Sequence, residues 1–159
     1  MRESEPMAGQ SPARDPNRPR GCTCFRLRRT ARQVTRIYDA HLAAAGLTLT
    51  QYSLLSNLAL GPNPTPSVNQ LADVLSMDRT TLTRTLKPLL AARLVALARG
   101  ADKRSKSVTL TAAGRAAFDS AKPLWRAAQD SMIERLGAPR VTELHRLLDD
   151  SFDTLEAAS

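Results

Sequence analysis

One stretch of the chain concentrates side chains that can hold a nucleic acid. After Asp78 it presents basic and hydroxyl residues in close succession: Arg79, Thr80, Thr81, Thr83, Arg84 and Lys87. Arginine can form two hydrogen bonds to guanine O6 and N7, and threonine can reach base edges or the methyl group of thymine. We expect Arg79, Thr81 and Arg84 to contribute most, and Lys87 suits a phosphate better than a base. The alternative interpretation is a solvated polar face of a helix.

A second group follows between two short strand-like runs. The run 94–98 is apolar, the segment 99–106 is charged and contains Gly100, and Ser107–Leu110 alternates polar with apolar residues. This order predicts a β-hairpin. Lys103 and Lys106 in the loop suit salt-sensitive phosphate contacts. The alternative is a hairpin whose charges only keep it solvated.

The charge of the chain is strongly localised. Its 159 residues carry 23 Lys and Arg against 15 Asp and Glu, a net charge of +8. Residues 79–107 hold eight basic residues against the single acid Asp102, a net +7. That stretch is rich in Thr and Ser and has no aromatic residue, which favours nucleic acid over a lipid surface. Aromatic residues are 4% of the chain, which argues against sheet-rich folds and aromatic single-strand platforms.

The elements that must position these groups are mainly helical. Residues 1–21 contain four prolines and no apolar face, which predicts a disordered tail. Apolar residues on one face predict a first helix that stops near Gly46, and Thr50 is expected to cap a short second helix that ends at Gly61. Ser67 and Asp78 then cap two short helices joined by a turn at Ser76-Met77, which is typical of a helix-turn-helix. With the hairpin added, the pattern predicts a winged helix.

Two further helices complete the chain. Thr111 caps a long one, in which Pro123 is expected to cause a kink, and Gly137–Pro139 separates it from the last. Pro88 is expected to bend the helix that starts after Asp78. The first and last helices carry apolar faces. The central module, which consists of the helix-turn-helix and the hairpin, is too small to cover them. Pairing two chains would bury those faces, and a twofold protein suits a palindromic DNA site.

Several local patterns together resemble the MarR family of transcriptional regulators, from Cys22 to about Leu155. They are the segments 46–52, 71–72, 78–84, 102–104 and 108–114. The resemblance implies one domain over 22–159, with a winged helix-turn-helix at 47–110 and dimerisation helices at 22–46 and 111–159. It also implies a homodimer that represses or activates genes and releases DNA when a small anionic aromatic molecule binds.

The resemblance assigns roles to individual residues as well. Arg104 would lie at the tip of the hairpin and enter the minor groove, where a narrow groove attracts arginine. Asp102 would hold that guanidinium or brace the hairpin. An effector pocket would involve Arg29, Arg32, Tyr38, His41 and Tyr52. For the tyrosines the alternative is a place in the core, and for Arg32 a structural ion pair.

Cys22 and Cys24 are too few for a disulfide framework, and the chain shows neither a secretory signal nor a membrane span. We therefore expect a cytoplasmic protein. Thiols near a helix start and beside arginines are candidates for oxidation. The alternatives are a weak metal site that includes His41 and, more simply, small residues in the dimer interface.

The sequence thus predicts a DNA-binding transcriptional regulator, most simply a homodimeric repressor with no cofactor and no resident metal. The alternative is an architectural or protein-interaction winged helix with little sequence preference. The chain contains no phosphate loop, no H-E-x-x-H and no G-x-S-x-G motif, so an enzyme is not expected.

Overall fold

A computed structural model describes residues 20–99 and 106–158. The chain is mainly helical with one two-stranded hairpin, which confirms the predicted fold class. The elements in order are α1 (Thr23–Leu42), α2 (Leu49–Leu60), α3 (Val68–Val74), α4 (Arg79–Ala91), β1 (Val95–Arg99), β2 (Lys106–Leu110), α5 (Ala112–Leu136) and α6 (Ala138–Ala157). A single 3₁₀ turn, Ala43–Ala45, follows α1. No helix within the described ranges is long and apolar enough to cross a bilayer.

The start of α2 corrects one expectation. Thr48 caps this helix, whereas Thr50 lies inside its first turn. The Thr48 side chain accepts a hydrogen bond from the Gln51 amide at 3.3 Å, and the Gln51 side chain accepts one from the Thr48 amide at 2.9 Å. This reciprocal capping box satisfies two amide groups that would otherwise lack partners. A lone Thr50 cap would leave the box unused.

The main core joins the central module to α5. Its largest fully buried side chains come from α1, α2, α3, α4, β2 and α5: Leu42, Leu54, Leu55, Leu71, Leu82, Leu89, Val108 and Phe118. The ring of Tyr52 stacks on Phe118 at 5.5 Å and on Trp125 at 5.9 Å between centroids. This aromatic column fixes α2 against the long helix.

The hairpin is anchored at its base. Val95 lies opposite Leu110 and Arg99 opposite Lys106 in an antiparallel pair. The Val108 amide donates to the Pro66 carbonyl at 2.9 Å, just before α3. β1 begins one residue later than the sequence predicts, and β2 begins one residue earlier. The hairpin is therefore held against the helix-turn-helix.

The two helices with a proline in their interior are continuous. α4 runs through Pro88 and α5 runs through Pro123. α5 is a single element of 25 residues that Pro123 does not interrupt, and the bends expected at Pro88 and Pro123 stay predictions. Tertiary packing on both sides of a proline outweighs the loss of one backbone hydrogen bond.

α1 and α5 enclose a second, smaller apolar cluster, and α6 packs on α5. Tyr38, Ala128 and Met132 are the buried residues of this cluster. Every described residue of α6 is exposed or half-buried. This helix is amphipathic and leaves most of its apolar face uncovered within one chain.

Candidate nucleic-acid interface

The exposed face of α4 carries the predicted contact residues. Leu82, Leu86 and Leu89 are buried on its inner face. Thr80, Arg84 and Lys87 are exposed and follow each other at steps of four and three residues, which places them on the opposite face. Their spacing is the one that brings helical side chains into a single row. The helix therefore presents a hydroxyl, a guanidinium and an ammonium group to one partner.

Asp78 fixes the first turn of this helix. Its Oδ1 accepts a hydrogen bond from the Thr81 amide at 2.8 Å, and its Oδ2 accepts one from the Thr81 hydroxyl at 2.6 Å. The Thr81 side chain, followed by backbone amides, lowers the pKa of the Asp78 carboxyl. The carboxylate is thus ionised at neutral pH, as a residue at the positive end of a helix should be.

The threonines of α4 differ in their hydroxyl partners. The Thr81 hydroxyl donates to Asp78, the Thr83 hydroxyl to the Arg79 carbonyl at 2.7 Å, and the Thr85 hydroxyl to the Thr81 carbonyl at 3.1 Å. Within the described residues the Thr80 hydroxyl has no hydrogen-bond partner. The sequence singled out Thr81 among these threonines and could not show that its hydroxyl is engaged by Asp78, because a residue type does not reveal a side-chain rotamer.

The start of α2 adds a contribution that the sequence prediction missed. A groove of about 350 Å³ lies between the first turn of α2 and α4. Its walls are formed by Thr48, Thr50, Gln51, Thr81, Arg84, Thr85 and Pro88. Arg84 thus lines this groove together with threonines of both helices. The T-x-x-Q capping box was visible in the sequence, but its proximity to α4 depends on the tertiary fold.

The hairpin residues are only partly covered by the structure. Asp102, Lys103 and Arg104 lie outside the described residues, so their roles stay predictions. Lys106 is exposed at the start of β2, opposite Arg99. The base of the hairpin therefore projects from the same module as α4, joined to it directly through residues 92–94.

The cysteines lie at the start of α1. Cys22 is its N-cap, and its Sγ accepts a hydrogen bond from the Phe25 amide at 3.5 Å. Cys22 and Cys24 are both free thiols and exposed in the single chain. Within the described residues, no group of three or more His, Cys, Asp or Glu side chains could hold a metal ion.

The predicted effector residues are dispersed. A cavity of about 540 Å³ lies between α1, α5 and α6, with apolar walls and with Arg26 and Arg28 among its polar lining. Of the five predicted residues, all within the described ranges, Tyr38 alone lines it. Its hydroxyl donates to Gln129 Oε1 at 2.7 Å, and burial raises the pKa of the Tyr38 phenol.

The other four effector candidates lie elsewhere. Tyr52 is buried in the aromatic column, where burial raises the pKa of its phenol and Arg126 partly opposes that rise. The Arg29 guanidinium lies 5.7 Å from the Phe25 ring centroid, Arg32 is exposed and His41 is half-buried. Their role in binding an effector stays a prediction.

Comparison with known proteins identifies this architecture. Residues 45–105 match the sequence model of the MarR family. The transcriptional regulator MosR of M. tuberculosis, solved in complex with DNA, is similar to the chain with 38% identity and a TM-score of 0.71. The alignment covers 85% of this chain and 98% of that one. The chain belongs to the MarR family.

A more distant MarR-family structure shows the same fold. A mutant of E. coli MarR, complexed with operator DNA, is 24% identical, with a TM-score of 0.72 and coverage of 80% of this chain and 91% of that one. No curated protein matches the sequence. As a MarR-family protein, the chain is a DNA-binding transcriptional regulator, and its helix-turn-helix and hairpin form a winged-helix module.

Proposed function

We propose that this MarR-family regulator recognises a palindromic promoter site as a homodimer and represses transcription by occupying that site. The observation that carries the proposal is the exposed row of Thr80, Arg84 and Lys87 on α4, opposite its buried leucines. α4 would enter the major groove, where guanine and thymine differ in donors, acceptors and methyl groups. The DNA complexes solved for MosR and for E. coli MarR support this proposal.

Electrostatics supports the same arrangement. The segment 79–107 has a net charge of +7, and it contains α4, β1 and the start of β2. Neutralising phosphates with lysine and arginine releases counterions and makes the affinity depend on salt. Lys87 and Lys106 would contact phosphates, whereas Arg84 would contact bases. Arg104, braced by Asp102, would enter the adjacent minor groove, and Lys103 would contact its phosphate rim.

The homodimer is supported by α1 and α6. Exposed apolar side chains on these helices include Phe25, Leu27, Leu147, Leu148 and Phe152. α1 carries five arginines against one aspartate, a net +4, whereas α6 carries two arginines against five acids, a net −3. A second copy that lays its α6 against α1 would match opposite charges and cover apolar surface. The cavity between α1, α5 and α6 would be closed in the same step.

A selection experiment tests this function. Duplexes enriched from a randomised pool by the full chain should share a palindrome with half-sites about one helical turn, ~34–36 Å, apart. We expect the selected duplex to bind at least ~10³-fold more tightly than random DNA at physiological salt. Equal affinities would favour the architectural alternative. A reporter gene placed behind the selected site should be expressed less when the protein is present.

Oxidation at the start of α1 is one proposed trigger for release. Cys22 Sγ is the acceptor that caps α1, and both thiols are accessible. Peroxide would convert an exposed thiol to a sulfenic acid with loss of water, which changes the cap of a helix proposed to form the dimer. Peroxide treatment should then weaken binding of the selected duplex. The hypothesis fails if a double variant, Cys22→Ser with Cys24→Ser, responds as the wild type does.

A small anionic aromatic effector is the second proposed trigger. Tyr38 is the predicted contact that reaches the cavity, and Arg26 and Arg28 supply positive charge there. A panel of aromatic carboxylates should include members that lower the affinity for the selected duplex. Tyr38→Phe should change their potency without changing DNA binding in their absence. A panel with no active member would count against this route.

A further inference from the structure

The hydroxyl groups of α4 are not equivalent, and their partners divide the DNA-facing threonines into two kinds. We propose that Thr80 recognises a base or phosphate through its hydroxyl, whereas Thr83, flanking it, recognises thymine through its methyl group. The inference rests on the proposed function, because it assumes that α4 enters the major groove. It goes beyond that function by naming the chemical group with which each of two residues, Thr80 and Thr83, would recognise DNA.

The Thr83 hydroxyl proton is already used inside the protein. It is donated to the Arg79 carbonyl at 2.7 Å, one turn earlier. A hydroxyl has a single proton, so donation to a base would break this bond. The oxygen keeps its acceptor lone pairs, but the bond directs it back along the helix, so we expect the methyl group to be the part of this exposed side chain that meets a partner. A thymine methyl is the apolar group of the major groove that it can contact.

Thr81 shows the same feature in a stronger form. Its hydroxyl donates to the ionised Asp78 carboxylate at 2.6 Å, a charge-assisted hydrogen bond. Removing that hydroxyl would also disturb the cap of α4. Thr81 is therefore unsuited to a clean test, and Thr83 is the better position.

Thr80 has the opposite properties. Within the described residues its hydroxyl is without a partner, and the side chain is exposed in the row with Arg84 and Lys87. A free hydroxyl supplies one donor and two acceptor lone pairs, so it can bond several base edges or a phosphate oxygen. Thr80 thus has hydrogen-bonding capacity at the centre of the face, and Thr83 has apolar surface at its flank.

Matched substitutions separate the two roles. Valine keeps the methyl group and removes the hydroxyl, whereas serine keeps the hydroxyl and removes the methyl. Thr83→Val should bind the selected duplex within about twofold of the wild type, and Thr83→Ser should bind about fourfold more weakly, as expected for one buried methyl group. At position 80 the order should reverse, with Thr80→Ser close to the wild type and Thr80→Val weaker. Thermal melts of each variant check that the fold is retained.

Thymine itself can be altered without changing base pairing. Deoxyuridine lacks the methyl group, so each symmetric pair of thymines in the selected duplex is replaced in turn. At least one pair should weaken binding by the wild type and leave binding by Thr83→Ser unchanged. This loss of sensitivity identifies the thymine that Thr83 contacts.

The outcomes distinguish this inference from the function on which it rests. If the wild type prefers the selected duplex but no deoxyuridine pair matters, the methyl assignment is overturned and the regulator function stands. The same holds if Thr83→Ser binds normally while Thr83→Val does not. If the wild type prefers no duplex over random DNA, the proposed function fails and the inference fails with it.

Discussion

A single carboxylate organises the DNA-facing end of α4. Asp78 accepts hydrogen bonds from the amide and the hydroxyl of Thr81, so it holds the first turn and fixes one threonine rotamer. Asp78 thereby sets where the exposed side chains of α4 begin.

Substitutions at Asp78 test this capping role. Asparagine caps helices about as well as aspartate, whereas alanine lacks an acceptor. We expect Asp78→Ala to lower the melting temperature by about 2–6 °C, and Asp78→Asn to change it much less. Circular dichroism at neutral pH gives both values. Equal losses for the two variants would show that charge, not capping, is the main contribution.

The same carboxylate predicts a dependence of stability on pH. Hydrogen bonds from Thr81 lower the pKa of Asp78 in the folded state below its ordinary value of 3.8. Its contribution is therefore present above that ordinary value and is lost as pH falls through the lowered one. The difference in melting temperature between wild type and Asp78→Ala should shrink over that acidic range. A constant difference down to the lowest pH would contradict this assignment.

Gly114 lies against the backbone of Leu94, which is in the short segment between α4 and β1. It lies in the first turn of α5, and a Cβ placed there would overlap the carbonyl oxygen of Leu94. Gly114→Ala should therefore reduce the free energy of unfolding by about 2–3 kcal/mol in urea titrations. Gly46→Ala is the matched control, since space around Gly46 is open and its positive φ of 66° alone costs about 1 kcal/mol. Equal effects would mean that α5 shifts freely.

At the scale of elements, the sequence predicted those helix starts that depend on neighbouring residues alone. Capping residues predicted the starts of three helices, and the structure has all three caps, at Ser67, Asp78 and Thr111. The predicted start of α2 was wrong. Thr48 and Thr50 are both suitable N-cap residues, and Thr48 caps the helix because it forms reciprocal hydrogen bonds with Gln51. The hairpin strands shifted by one residue because their ends depend on cross-strand pairing and on the contact with Pro66.

The candidate site divides in the same way. The sequence predicted an exposed basic and hydroxyl-rich start of α4, but it did not single out the row formed by Thr80, Arg84 and Lys87. The hydroxyl partners of the threonines could not be predicted, because a rotamer depends on atoms one turn away. The groove between α2 and α4 could not be predicted either, since it joins segments separated by about thirty residues of sequence.

The hairpin is the element whose contribution to binding can be measured most directly. Arg104→Ala should weaken binding of the selected duplex by about 1–3 kcal/mol, because arginine is the expected minor-groove contact. Arg126→Ala, an exposed arginine on α5 away from the hairpin, is the matched control for the loss of one positive charge. A titration at fixed salt measures both. A loss below a few tenths of a kcal/mol for Arg104→Ala would show that the hairpin is not engaged.

At the scale of the whole molecule, charge and apolar surface are separated along the chain. The winged module carries the positive segment 79–107, and α6 carries net negative charge with an exposed apolar face. The ion pairs of Arg146 with Glu143 and Asp150 lie on the exposed surface of α6, and exposed pairs of this kind stabilise little. α6 therefore gains most of its stability from what covers it. In the proposed homodimer, a second copy of the chain would cover this face of α6 and set the spacing of the two α4 helices.

A charge placed on that apolar face tests the whole arrangement. Leu148→Glu puts a carboxylate into the lining of the cavity between α1, α5 and α6, where a second copy would leave it without water. We expect this variant to be monomeric at micromolar concentration in sedimentation equilibrium. It should bind the palindrome at least ~10²-fold more weakly, with the salt dependence of its affinity reduced by about half, because one protomer contacts half of the phosphates.

Leu60→Glu supplies the matched control for that experiment. Leu60 is exposed to 64% at the end of α2 and does not line the cavity between α1, α5 and α6, and it receives the same change of shape and charge. It should stay dimeric and keep the affinity and salt dependence of the wild type. If both variants behave alike, or if Leu148→Glu stays dimeric with full affinity, the two copies do not meet through α6. The spacing of the half-sites must then be set by a different surface, and the row on α4 would have to recognise DNA from another dimer geometry.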